Sequence, residues 1–201
     1  AQGQFITGLD DDDYFLPTRI ADFVAHWGQR RAGSVALTSA RRKILPDGSE
    51  IDLPGKDTVG VKDMYLRNLA GSQAFLETAT ARQLGGFDPQ LKAWQDYDFL
   101  FRLAQLGTIE NLPVASYVVD ASHPHERIST RSYQKVAAAC EYFIGKHGIS
   151  GRQALQVRSQ LLVYRFSYPE AVAFLLRFLA RGDIAGVKAV IRRFQRSRSS
   201  S

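Results

Sequence analysis

The stretch QFITGLDDDDYFLP, residues 4–17, decides the fold. Phe5, Ile6 and Leu9 form a short apolar run that reads as a buried strand from Gln4 to Leu9. Four consecutive acids, Asp10, Asp11, Asp12 and Asp13, stop it, and Pro17 opens a helix. A strand that hands carboxylates to a following helix is the arrangement in which α/β sheets bind ligands, beyond the carboxyl ends of their strands. Crowded like charges raise one another's pKa values and cost stability unless a cation neutralises them. Carboxylate oxygens suit hard divalent ions such as Mg²⁺ or Mn²⁺, which also bind substrate phosphates. A solvated acidic turn, with Asp13 near the positive end of the next helix, accounts for the same residues. At this point both readings stand.

Working outward, Ile20, Phe23, Val24 and Trp27 recur at i, i+3, i+4 and i+7 and predict one apolar helix face, ended by Gly33. Ser34 to Thr38 reads as a strand, and Pro46-Asp47-Gly48 as turn chemistry in an exposed hairpin or loop over residues 41–52. Lys62 to Leu69 reads as helical and Gly71 to Leu76 as extended. Thr78 is expected to cap a short helix ended by Gly85-Gly86. A strong helix runs from Gln95 to Leu106, with Asp98 and Arg102 as an i,i+4 pair. Ile109 to Leu112 and Tyr117 to Val119 read as two short strands. After about residue 130 the pattern is helical throughout: Tyr133 to Lys146, Arg152 to Tyr164, a capping box at Ser167 opening a helix through Leu179, and Ile184 to Phe194. Mixed strands and helices followed by helices alone predict an α/β layer over 1–130 and a helical extension with a basic tail over 131–201.

Two further constellations carry chemistry. Asp96 lies in the first turn of its helix, within WQDYDF, residues 94–99. The helix dipole favours its charge, while Trp94, Tyr97, Phe99 and Phe101 oppose it, and a carboxylate so tuned serves as a general base. A helix-stabilising first-turn acid is the plainer reading. His123, His125 and Arg127 alternate in HPHERIS, so in an extended chain they share a side and reach a metal or a diphosphate. A polar surface loop is the alternative.

Composition narrows the class. The chain has 201 residues, 45% hydrophobic and 23% charged, with a net charge of +6. Its single cysteine, Cys140, excludes an intrachain disulfide and suits a reducing compartment. No run of 18 apolar residues exists, and no signal peptide is visible. The basic Arg/Ser tail suits an anionic partner. Nucleic acid is disfavoured, because no reading motif is present and four adjacent acids oppose a phosphate backbone. Phe174, Leu175, Phe178 and Leu179 form an apolar stripe beside Arg177 and Arg181. It is expected either to pack inward or to lie on an anionic membrane.

Taken in order, these segments resemble the family 2 glycosyltransferases of GT-A fold, of the bacterial surface-polysaccharide type. LDDDDYFLP, residues 9–17, is similar to the family's L-D-x-D-D-x-W-x-P. GGFDPQLKAWQDYDFLFRL, residues 85–103, is similar to G-G-F-D-E-x-L-x-x-x-E-D-Y-D-L-x-x-R-L, and HPHERIS to a loop of such members. The resemblance implies a partial GT-A mixed sheet with helices, followed by a C-terminal helical segment. It implies transfer of a sugar, with inversion, from a nucleotide-diphospho-sugar to a glycan or lipid-linked acceptor. Asp10 would contact the ribose or nucleotide, Asp12 would hold the metal, and Asp13 matches an extra acid of less defined role. Asp96 would be the base, and His123, His125 and Arg127 would lie near the diphosphate. Residues 41–60 are candidates for the acceptor groove. Gln95 departs from the family's usual Glu. The family's N-terminal region, with most of the nucleobase pocket, is absent, so the chain is expected to be a fragment inactive by itself. A non-catalytic remnant acting with a partner is the alternative. The expected location is the cytoplasm, with peripheral contact at the inner face of the plasma membrane.

Overall fold

The computed structural model describes residues 1–71, 73–122 and 133–199. These form two compact units. The first comprises Ala1–Met64, Asn68–Asp88 and residues 96–122; the second comprises Tyr65–Arg67, Pro89–Gln95 and residues 133–199.

The first unit is built on a mixed sheet. Its central strand, β7 (Thr108–Asp120), pairs in parallel with β3 (Ser34–Ile44) along one edge. On its other edge it pairs antiparallel with β5 (Thr58–Val59) at Ile109 and Glu110, and with β2 (Asp13–Phe15) at residues 117–119. β4 (Glu50–Leu53) extends β3 through a hairpin whose turn closes with Leu45 N–H to Ser49 O at 2.8 Å. The expected hairpin over 41–52 is therefore present, and both its legs are strands. A small antiparallel pair, β1 (Phe5–Ile6) with β6 (Leu76–Glu77), joins β3 through a bridge between Leu37 and Phe75.

Three strand expectations need correction. The strand expected from Gln4 to Leu9 ends at Ile6, so the acids lie in the turn between β1 and β2, and Asp13 already belongs to β2. The strand expected over 34–38 runs on to Ile44. The two strands expected around residues 109–112 and 117–119 are one. Pro113 falls in a register shift, where Ser39 faces Leu112 and Ala40 faces Ala115. A bulge accommodates a proline inside a central strand, since no ladder hydrogen bond is then required of it.

Helix α1 (Arg19–Trp27) covers the sheet, but not with the expected face. Arg19, Phe23 and Trp27 are buried, whereas Ile20 and Val24 are about half exposed. Phe23 and Trp27 pack with Leu37, Phe75 and Leu112, and Phe5 stacks on Phe75 at 4.8 Å. Each such buried side chain contributes roughly 1.5–3 kcal/mol. The helix expected over 62–69 is one turn, α2 (Val61–Met64). In α3 (Thr78–Gln83) the cap position belongs to Glu77; Thr78 is the first helical residue, and its hydroxyl has no partner. Gly85 and Gly86 then adopt positive φ, 75° and 67°, a conformation that only glycine takes without strain. α4 (Gln95–Leu106) follows as expected. Gly107 follows it, at a close approach where a Cβ would lie 2.4 Å from the Gly33 carbonyl oxygen.

The second unit is helical: α5 (Tyr133–Lys146), α6 (Gly151–Ser159) continued by a 3₁₀ turn (Gln160–Val163), α7 (Tyr168–Leu179) and α8 (Ile184–Ser199). The Ser167 hydroxyl accepts from the Glu170 N–H, as the capping box predicts. Asp183 caps α8 through the Gly186 N–H at 3.0 Å. The basic tail is helical through Ser199, beyond the expected end at Phe194. Leu155, Leu162, Ala171, Phe178 and Val190 form the core, with Phe166, Phe174, Leu175 and Val187 against it. Among the described residues no helix is long and apolar enough to cross a membrane.

Candidate active site

The acidic turn is organised by one residue that the sequence reading passed over as a site residue, Tyr117. Its side chain rises from the C-terminal half of β7, opposite Phe15 of β2, and is buried. The phenol accepts from the Asp10 N–H and donates to Asp10 Oδ2, both at 3.3 Å, and also bonds Asp13. Burial and these carboxylates push the Tyr117 hydroxyl far above its usual range, so it remains a protonated donor. Gln73 Nε2 donates to Asp10 Oδ1 at 2.8 Å. Both Asp10 oxygens are therefore held by neutral donors. The sequence signal for Tyr117 was a single polar tip inside an apolar strand, which buried tyrosines usually bond.

Asp13 is half-buried and accepts from the Asp120 N–H at 3.3 Å, which ties β2 to the end of β7. Burial raises its pKa; the Tyr117 hydrogen bond lowers it, and the charges of Asp12 and Asp10 raise it further. Asp11 and Asp12 are exposed and make no hydrogen bond or ion pair with any described residue. The four acids thus divide into two that brace the turn and two left to solvent.

Beneath Tyr117 lies Arg19, 1% exposed. Its guanidinium sits 4.5 Å from the Phe23 ring centre, 4.7 Å from Phe15 and 5.2 Å from Tyr117, and it donates to the Ser39 and Ser116 hydroxyls. Its Nε has no partner, and burial lowers its pKa to about 10. No carboxylate pairs with it among the described residues.

Asp96 lies in the first turn of α4 and belongs to the same unit as the acidic turn. Burial raises its pKa, the Tyr97 and Asp96 backbone amides of the first turn lower it, and the charge of Asp10 raises it again. Asp10 and Asp96 thus share a unit, and the charge of Asp10 adds to the effect of burial on Asp96. Two residues later, Asp98 is fully buried and pairs with Arg102 Nη2 at 2.8 Å. Arg102 also donates to the carbonyls of Leu84 and Gly86. The pair clamps the start of α4 to the Gly85-Gly86 turn. In the second unit, Trp94 has φ 65°, the single non-glycine positive φ among the described residues. Its indole donates to the Tyr164 hydroxyl at 2.8 Å and meets Phe143 edge-on.

His123, His125 and Arg127 lie outside the described residues. Among the described residues no three of His, Cys, Asp and Glu converge as a metal cage. The donors present are exposed carboxylates. An all-oxygen set of one or two carboxylates fits Mg²⁺ or Mn²⁺ completed by water and phosphate, and does not fit a Zn²⁺ site.

No protein-family model matches the chain. A curated protein of Escherichia coli (strain K12), named "Putative colanic acid biosynthesis glycosyl transferase WcaA", is 28% identical over 151 residues. The chain resembles a bacterial glycosyltransferase. The similarity covers 73% of this chain and 53% of WcaA, so the chain spans about half the length of the curated relative it matches. The mixed sheet with a helical C-terminal region is consistent with a partial GT-A-like fold.

Proposed function

We propose that this chain is the acceptor-side half of an inverting glycosyltransferase that uses a nucleotide-diphospho-sugar and extends a glycan or lipid-linked acceptor in cell-surface polysaccharide synthesis. The observation that carries this reading is that one unit holds both an exposed acidic turn and Asp96, a half-buried first-turn carboxylate whose pKa is raised chiefly by burial. The likeness to WcaA supports the transferase class.

Asp12, uncommitted to any other described group, is the residue that would hold a divalent cation. When bound, that ion would offset negative charge on the departing diphosphate. Asp10, held by Tyr117 and Gln73, orients toward the nucleotide portion of the donor. Asp96 accepts the proton of the acceptor hydroxyl. The acceptor oxygen forms its bond to the anomeric carbon as the bond from that carbon to the diphosphate oxygen breaks, and the nucleoside diphosphate leaves with the electron pair. A single displacement of this kind inverts the anomeric centre. The raised pKa of Asp96 makes it a stronger base than a solvated aspartate.

The test uses the full-length gene product. Asp96→Asn is expected to abolish transfer while nucleoside diphosphate still binds in calorimetry, and Asp12→Ala to remove the dependence of that binding on Mn²⁺. Undiminished turnover in Asp96→Asn rejects the base, and Mn²⁺-dependent binding retained in Asp12→Ala rejects the metal assignment.

A further inference from the structure

The C-terminal hairpin carries charge and apolar surface that nothing described so far uses. From Ala171 to the end, the chain has seven basic residues and one acid, Asp183. Their net charge, +6, equals that of the whole chain, so the first 170 residues are neutral overall. Asp183 is buried and spent on capping α8 and accepting from Gln156 Nε2 at 2.6 Å. No carboxylate is therefore exposed among the described residues of this segment. Arg177, Arg181, Lys188 and Arg192 are exposed and form no ion pair with any described residue.

Helix α7 is apolar on two sides. The expected stripe divides: Phe178 is fully buried, Phe174 and Leu175 pack against the core, and Leu179 points outward. A second stripe, Tyr168, Val172, Leu176 and Leu179, follows the spacing of one helix face and is exposed along its length. It culminates at the α7–α8 turn. There Leu176 and Leu179 are each 62% exposed and Ile184, opening α8, is 68% exposed, with Arg181 in the turn and Lys188 one helical turn beyond Ile184; Arg177 instead lines a groove with Glu141 and Glu170. Large aliphatics this exposed, interleaved with cations and free of acids, match the chemistry of an anionic bilayer, where apolar side chains enter the acyl boundary and cations meet the headgroups. Nucleic acid would leave the leucines in water.

We infer that the α7–α8 hairpin docks the protein on anionic phospholipid membranes through Leu176, Leu179 and Ile184, with Arg181 and Lys188 as the headgroup contacts. This does not rest on the reading of the acidic site. The test is flotation of the full chain with vesicles of phosphatidylcholine, with and without phosphatidylglycerol. The chain is expected to float with the anionic vesicles, to bind the neutral ones weakly, and to be released by high salt. Leu176→Ser/Leu179→Ser and, separately, Arg181→Gln/Lys188→Gln should each lower bound protein roughly tenfold or more, with circular dichroism unchanged. Absence of flotation with phosphatidylglycerol, or flotation undiminished in both variants, overturns the inference. So does a dimer in sedimentation velocity that the leucine variant dissociates, since the occupant of the surface would then be a second copy of the chain.

Discussion

Replacing Arg102 by Met tests the clamp that positions α4. The substitution keeps most of the side-chain volume and removes the guanidinium. Asp98, 0% exposed, would lose its charge partner, and the Leu84 and Gly86 carbonyls would lose the donor they share. Breaking a buried pair from one side typically costs 3–5 kcal/mol. Asp98 keeps other interactions, so the lower end applies, about 3 kcal/mol. Against a domain stability of about 5–15 kcal/mol this is a large fraction. The natural control is Arg158, whose two bonds to Glu141, both 2.7 Å, have similar geometry, but whose side chains are 43% and 55% exposed. Arg158→Met should cost under about 1 kcal/mol. In urea unfolding followed by circular dichroism, with a slope of about 2 kcal/mol/M, Arg102→Met should lower the midpoint by about 1.5 M and Arg158→Met by no more than about 0.5 M. Equal shifts for the two variants would refute the reasoning, because burial and the two carbonyl bonds set the Arg102 pair apart.

Three further outcomes follow from the same structure. Burial pushes the Glu110 carboxyl up, but bonds from His26, the Arg31 N–H and Ser34 outweigh it and leave the pKa below the usual range. Its stabilisation is therefore present above the unfolded value of about 4.3 and lost as pH falls through the lower folded value. Glu110→Gln should flatten that acid limb, and an unchanged stability–pH profile would contradict it. Asp96 shifts the opposite way, so its charge opposes folding at neutral pH; Asp96→Asn should raise the melting temperature at pH 7 and not at low pH, and Asp10→Asn should lower the Asp96 midpoint in a carboxyl NMR titration. Tyr117→Phe removes the donor shared by Asp10 and Asp13 and should cost ~1–2 kcal/mol in thermal unfolding; a neutral result would mean that water replaces the phenol.

The helices of the second unit and the α4 motif were legible because their signals are local: a capping box, glycines after a last turn, an acid and a base four apart. The misreadings arise where tertiary contacts overrule local pattern. Two short strands are expected around residues 109–112 and 117–119, yet a bulge against β3 carries a single strand through Pro113. The face of α1 was assigned by hydrophobicity, and the structure buries an arginine in preference to Ile20 and Val24, because three rings and two serine hydroxyls surround the guanidinium. Tyr117 and Gln73 could not be tied to Asp10 from the chain alone, since they lie 107 and 63 residues away.

The treatment of the acids is the feature that connects fold to chemistry. A protein stabilising four adjacent carboxylates for structure alone would place a cation against them. The buried arginine nearest in the fold is stacked among the rings beneath Tyr117, with a pKa lowered to about 10, and pairs with none of them. Two neutral groups, a phenol and an amide, hold Asp10 instead. Neutral donors fix the position of a carboxylate without cancelling its charge. Asp10 therefore keeps the field that raises Asp96, and Asp11 and Asp12 keep theirs toward solvent. The arrangement forgoes stability to keep negative potential in the turn between β1 and β2, in reach of the carboxylate whose pKa it helps to raise. Stability forgone at a fixed position in this way is characteristic of sites that act on a ligand, and it favours a catalytic role over a merely solvated turn.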